Sequence, residues 1–317
     1  MLKLFEQIFH GIARHDDSIY PDELVVRATE RALDMTDPRI RILSGYARQL
    51  HKPVVHAIGH VLHIIDHLPP PVSLSPDKWN SDPVINAMFA SVERIQQVVA
   101  RDSACQDYRT HTPPVMPVTA LLLTVLSEKD TFGVDLVGDK VVHDVAQKVI
   151  SFDQHRLVAL AKDEAETRRL LKWRAYDYVL TRVLSAITEM RDKREDLDVR
   201  RKLLKAKLAV LSRSNGNLSQ QLRLAEQHEL QQTMDQVESE LAAMGTDDTV
   251  LQQELDIIIA MLSAIEQQLW ISDDTFYMDS MHIQREPGHP KAHAVPVQML
   301  QNAHGHRLVI RLVTLVL

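Results

Sequence analysis

Cysteine is almost absent. The single thiol, Cys105, excludes an internal disulfide and any cysteine-rich metal site, and it suits a reducing compartment. Glycine is scarce too, nine residues in 317, and aromatic residues make up 5%, a composition that leans towards helix. No run approaches the roughly eighteen apolar residues of a membrane-spanning helix. The first residues are interrupted by Lys3, Glu6 and His10, where a signal peptide would be continuously apolar. The chain therefore reads as soluble and cytoplasmic. Positive charge is not in excess: a net charge of -7 gives no general reason to bind nucleic acid or an anionic membrane. The phosphate-binding motifs G-x-G-x-x-G and G-x-x-x-x-G-K-[ST], the nucleophile motif G-x-S-x-G and the helical zinc motif H-E-x-x-H are all missing. Acid pairs such as Asp16-Asp17, Asp247-Asp248 and Asp273-Asp274 stand where helices start or loops turn, so capping explains them more simply than acid/base work.

What the chain does have is one long stretch, residues 163–213, without Pro or Gly. At alternating steps of three and four stand Trp173, Tyr176, Leu180, Val183, Ile187, Met190, Arg194, Leu197, Arg201, Leu204, Leu208 and Leu211, a heptad seam. A helix of this length, at about 1.5 Å per residue, is too long for one compact domain to cover, so the seam needs a partner. The turn at residues 214–217 supplies it by reversing the chain. Residues 218–244 and 248–270, separated by a break at 245–247, return with Leu230, Met234, Val237 and Leu241, then Leu251, Leu255, Ile258, Leu262, Ile265 and Leu269 in phase. Charge favours the reversal. Residues 163–213 hold fourteen Lys/Arg against nine Asp/Glu, net +5, whereas residues 218–270 hold one Arg against ten Asp/Glu, net -9. Folding about Asn215 and Gly216 brings Arg194 and Arg201, the polar interruptions of the seam, near Val237 and Leu230, where an arginine can set register if a carboxylate is in reach. A three-helix bundle, with the last helix folded back at Gly245, is the alternative.

Before this stretch the text is largely helical: a piece ahead of Arg14, residues 22–35, a pair over 38–68 with Asp37 as cap and Pro38 in the first turn, and residues 83–101. Proline clusters at 69–76 and 113–117 break it. Residues 118–126 read as a short, buried apolar helix. The period changes near Phe132, where Gly138 and Asp139 suit a two-residue hairpin turn over residues 131–145. The tail alternates at 275–284, 294–300 and 307–315, three strands joined by turns at 287–290 and 302–306. The predicted fold is mainly α (α+β). A helical body spans 1–162, a long antiparallel coiled-coil hairpin 163–271, and a small C-terminal antiparallel β meander 272–317.

The candidate sites are few. His56, His60, His63 and His67 are spaced i, i+4, i+7 and i+11, one stripe on the polar side of a helix whose other side carries Val54, Ile58, Val61 and Ile65. Imidazoles at i and i+4 can hold Zn²⁺ or Ni²⁺ if a further ligand such as Asp66 completes the set, and no such set stands at recognisable spacing. A solvated or interface face that happens to be His-rich is the plainer interpretation, and a pH-sensitive interface is a lesser alternative. A second group, His282, His289, His293, His304 and His306, lies in the tail at irregular spacing. The basic run 200–207 and the aromatic pair Trp173 and Tyr176 keep the heptad phase and belong to the seam. No resident cofactor is expected. Together with Leu204 and Leu208, the residues Trp173, Tyr176, Arg194 and Arg201 are the expected interaction and register positions. The expected function is that of a non-enzymatic interaction protein pairing with itself or with another protein; a transition-metal protein centred on the His stripe is the alternative.

Overall fold

Helix in this chain follows from apolar residues repeating every three to four positions, and strand from apolar runs that find an edge to pair with. The computed structural model describes residues 20–79, 82–111, 117–137, 140–213, 220–245 and 249–316. Among them two compact units form, each from separated segments: the residues up to Ile58 with Asp177–Ala264, and Gly59–Tyr176 with the residues from Ile265 onwards. The architecture is mixed helix and strand and includes a six-stranded sheet, so the strand content exceeds the small terminal meander expected.

The first unit is helical. Helix α1 (Asp22–Met35) buries Leu24, Val25, Ala28, Thr29, Ala32 and Leu33, pairs of neighbours one turn apart. A 3-10 turn, Pro38–Ile42, follows. Asp37 caps it, its side chain accepting from Arg39 N at 2.8 Å, with Pro38 in the first turn as the residues imply. Helix α2 (Tyr46–Asp66) starts in this unit and carries a proline, Pro53, inside it; it buries Leu50, Val54, Ala57 and Ile58 here. Arg31 holds Asp177 of the long helix in a two-pronged ion pair, Nη2 to Oδ2 being 2.6 Å.

Helix α6 runs over Glu164–Arg213, fifty residues, as its lack of Pro and Gly implies. Helix α7 spans Gln220–Ala243 and helix α8 Val250–Ser263. The turn expected at 214–217 lies outside the described residues, as does most of the break at 245–247. Gly245 is described: its φ is 75°, the left-handed conformation in which helices end and which a side chain resists. Its amide donates to Ala242 O at 3.1 Å.

The second unit is built on the sheet, with strand order β3-β2-β6-β5-β4. The strands are β1 (Val72–Ser73), β2 (Val118–Val137), β3 (Lys140–Ala161), β4 (Leu269–Met278), β5 (His293–Asn302) and β6 (Arg307–Leu315). The tail is the antiparallel meander expected, β4 to β5 to β6. The meander joins the hairpin edge to edge, Leu122 facing Arg311 across β2 and β6. Beyond Ile310, β6 exchanges β5 for β1, which pairs with it in parallel at Val72 and Val313.

Three expectations fail here. Residues 118–126 are strand, not helix: β2 is flanked by both β3 and β6, so Ala120, Leu121 and Leu122 are all buried and the alternation that marks a one-sided strand disappears. The helix over 83–101 is two helices, α3 (Pro83–Met88) and α4 (Val92–Arg101). Phe89 is extended and fully buried, and Ser91 caps the second helix by accepting from Arg94 N. The last helix does not reach Trp270: after α9 (Ile265–Gln268) the strand β4 begins at Leu269 and ends at Met278, short of the predicted residue 284.

Strands β2 and β3 form one hairpin far longer than residues 131–145. Residues Gly138 and Asp139 are outside the described set, but Val137 pairs with Lys140 on either side of them. Three register shifts interrupt the ladder, and a left-handed residue of β3 stands near each: Ala159, Gln154 and Asp144. Such bulges bend the strand and redirect side chains. Helix α5 (Ser103–His111) packs on β3, and Asp102 ties the two together: Oδ1 accepts from Ala104 N at 2.9 Å, Oδ2 from Leu157 N at 3.0 Å.

Candidate interaction surface and histidine sites

The heptad seam of α6 is its buried side. Tyr176 is 3% exposed, Leu180, Val183 and Ile187 are fully enclosed, and Leu197 and Leu204 are buried further along. Trp173 is half-buried, its ring edge-on to Tyr176 with centroids 6.2 Å apart. Leu197, Leu204 and Val237 of α7 make one apolar cluster, against which Leu230, Met234, Leu241 and Met244 pack. Lys205 reaches Glu238 at 3.2 Å, one contact between the basic helix and the acidic one. Leu208 is half-buried.

Arg194 and Arg201 interrupt this seam as the heptad count requires. Both line a cleft of about 800 Å³ with Arg191, Asp198, Glu238 and Leu241. Arg201 finds its carboxylate on its own helix, Asp198 three residues earlier, and Asp198 also holds Lys202 at 2.7 Å. Those cations, Lys202 first, hold the Asp198 carboxyl below its usual range.

One turn off the seam, Arg191 makes an ionic contact with two buried carboxylates. Its Nε donates to Glu254 Oε1 at 2.6 Å and its Nη2 to Asp37 Oδ2. The Glu254 side chain is 0% exposed and that of Asp37 5%. Arg39, which donates to both Asp37 oxygens, is the main reason that the Asp37 carboxyl is held far below the usual carboxylate range. Residues 37, 191 and 254 are too far apart for any local spacing to announce the contact.

Opposite the seam α6 has a second apolar side. Val199, Leu203 and Val210 are 59%, 55% and 67% exposed, and at 100° per residue they fall within about 40° of arc. Leu197 and Leu204 lie about 150° away. Leu184, and Leu224 on α7, are further exposed aliphatics of the two helices.

The histidine stripe of α2 is placed as its spacing implies, with Val54, Ile58, Val61 and Ile65 buried on the other side and His56, His63 and His67 exposed. The imidazoles are engaged singly or in pairs. His60 Nε2 donates to Leu269 O at 2.7 Å; His67 Nδ1 likewise donates to His63 O at 2.7 Å, and the His63 and His67 rings are 4.2 Å apart. Asp66, the carboxylate beside them, is held by Lys172 at 2.8 Å. Among the described residues no three His, Cys, Asp or Glu side chains are grouped to hold a metal ion.

Of the tail histidines, His304 and His306 stand near each other with ring centroids 6.4 Å apart, and His306 Nδ1 is 3.1 Å from Asn302 Nδ2. His282 takes a left-handed backbone and its carbonyl accepts from Ile150 N, tying the turn after β4 to β3. His282 also lines a cleft of about 360 Å³ that includes Met88, Glu93, Arg94, Asp153 and His155. His155 was not distinguished by any spacing; the bulge at Gln154 is what aims it. Its Nε2 lies 2.6 Å from Met88 O, so that nitrogen carries the proton, and Nδ1 is buried without a hydrogen-bond partner among the described residues. Phe89 stacks on the ring at 4.4 Å. Burial, helped by Arg94, depresses its pKa. The neutral form is therefore favoured in the fold, so His155 contributes stability that is complete above the ordinary histidine value of about 6.5 and is lost as pH falls through its lower folded value. In a histidine NMR titration the His155 signal, identified by its absence in His155→Gln, should titrate below that value; an ordinary value would contradict this environment. Cys105 is fully buried, and burial with the nearby Asp102 pushes its thiol up to about 12, an unreactive state.

No protein-family model, curated protein or solved structure matches the chain.

Proposed function

We propose that the chain is a non-enzymatic interaction protein in which α6 and α7 form a coiled-coil hairpin that binds protein chains, its own included. The observation that carries this reading is the double-sided character of α6. One apolar side is buried in its seam while Val199, Leu203 and Val210 stand in water on the other. A helix with two apolar sides is completed by a further surface, because contiguous exposed aliphatics cost solubility unless a partner covers them. The charge of the two helices sets limits on that partner. With a net charge of -7 and the basic helix already opposed by an acidic one, protein is favoured over nucleic acid. Arg194 and Arg201 act in this reading as register residues, admitting one alignment of the pair at some cost in stability.

The test is affinity purification with tagged full-length protein and a Val199→Glu/Leu203→Glu variant. Because both positions are exposed, the variant is expected to unfold within a few degrees of the parent, while the proteins co-purifying with the parent, untagged copies included, are lost. Identical sets of co-purifying proteins from both would overturn the proposal.

A further inference from the structure

The exposed stripe of α6 carries a charge pattern as well as apolar residues. Ahead of Val199 on this side come Asp192, Glu195 and Asp196, all exposed; beyond it come Arg200, Lys202 and Lys207, exposed too. Acid precedes, base follows, and the centres of the two blocks are about nine residues apart, roughly 14 Å along the axis. The order matters for what can lie against it. A second α6 laid parallel sets acid against acid and base against base. Laid antiparallel, it sets each block against its opposite.

Angular position narrows the arrangement. Taking Val199 as the centre of the stripe, Glu195 and Lys202 lie about 40° and 60° to one side, and Asp196 and Lys207 about 60° and 80° to the other. A two-fold axis crossing the pair near Val199 and Arg200 keeps each flank on its own side while reversing the chain. Glu195 then meets Lys202 of the second copy along one flank and Asp196 meets Lys207 along the other, each within about one turn of level. The apolar residues Val199 and Leu203 fall between them. The same four residues satisfy both flanks because one surface is used twice, which is the property of an isologous contact. The acidic helix α7 packs through Val237 on the seam and borders only the Glu195–Lys202 flank, where these two residues line a cleft with Glu238 and Leu241 and Asp198 shares Lys202; Val199 and Leu203 at the centre stay exposed.

From this we infer that the chain forms an antiparallel homodimer through the exposed stripe of α6, with Val199 and Leu203 at its centre and the Glu195–Lys202 and Asp196–Lys207 pairs on its flanks. This rests on the reading of α6 as an interaction helix and names its partner as a second copy of the chain.

Sedimentation equilibrium of the full chain tests it. The parent is expected to be a dimer at micromolar concentration, with an association that weakens as salt is raised, because the flanking charges are solvent-exposed and screened. Leu203→Glu is expected to weaken it by at least about tenfold, with circular dichroism unchanged. Glu195→Lys/Asp196→Lys and Lys202→Glu/Lys207→Glu are each expected to be monomeric, and an equimolar mixture of the two to form a heterodimer. Val199→Cys, at the axis, is expected to cross-link into a covalent dimer on oxidation, since the native thiol Cys105 is fully buried. A parent that stays monomeric at about 100 µM, a dimer indifferent to Leu203→Glu, or charge variants that fail to pair on mixing would each overturn the inference. A monomer that still captures another protein through Val199 and Leu203 defeats self-pairing alone; a monomer that captures nothing through them defeats the interaction reading as well.

Discussion

Replacing Arg191 with methionine is expected to lower folding stability by roughly 3 kcal/mol, measured by chemical denaturation at neutral pH. The size comes from what is left behind. Glu254, fully enclosed, loses the guanidinium that donates to its Oε1 at 2.6 Å, and its other oxygen, Oε2, has no hydrogen-bond partner among the described residues. Breaking a buried pair by removing one partner typically costs about 3–5 kcal/mol, because the remaining charge is neither hydrated nor paired. The lower end applies, since the Arg191 side chain is 37% exposed and water replaces part of what it supplies. Asp37 suffers less because Arg39 still grips both its oxygens. A Glu254→Gln background should recover much of the loss, since an amide needs no counter-charge; equal losses in both backgrounds would refute the coupling.

The same node gives an acid dependence whose sign is fixed. The Asp37 carboxyl sits below its ordinary value, so its contribution is complete above about pH 4 and is lost as pH falls through the depressed folded value. Arg39→Ala removes the largest cause of that depression and is expected to flatten this part of the profile.

The second large effect belongs to the sheet. Leu122→Ala is expected to cost about 3 kcal/mol, within the range for emptying a fully enclosed aliphatic site. Leu122 is 0% exposed, pairs with Leu157 on one side and Arg311 on the other, and shares a core with Phe89, Ile150 and Val309. Phe132 further along the same strand is 75% exposed, and Phe132→Thr is expected to change stability by less than about 0.5 kcal/mol. Comparable losses at the two positions, read from denaturation midpoints, would contradict the division of the strand into an enclosed base and an exposed arm.

How far such features can be read from residues alone depends on how local their causes are. The seam from Tyr176 to Leu204 was legible because a helix repeats every three to four residues and the buried side is the apolar one. Asp37 with Pro38 was legible because a cap acts on amides two or three residues away. Residues 118–126 were misread because a strand bordered on both sides and covered on both faces shows an unbroken apolar run, which a buried helix shows as well. The split at Phe89 was missed because its extended backbone carries no proline or glycine; only the core that encloses its ring accounts for it. Arg191 stands among the many cations of a charged helix with nothing near it in the chain to distinguish it, its partners lying 154 and 63 residues away. His155 gave no signal, since a bulge is a property of two strands in register.

The residues by themselves determined the length of α6, its buried seam, the polar interruptions at Arg194 and Arg201, and the three-stranded tail. Each of these follows from hydrogen bonds or packing within a few positions along the chain, or from an alternation that one strand displays alone. Only the tertiary structure decided that the tail and the long hairpin share one sheet, that Arg191 lies between two buried carboxylates, and that His155 is a buried imidazole with a depressed pKa. The reason is the same in each case. A strand takes its hydrogen bonds from another strand, and a buried charge takes its counter-charge from another element, so neither partner is written beside the residue that needs it.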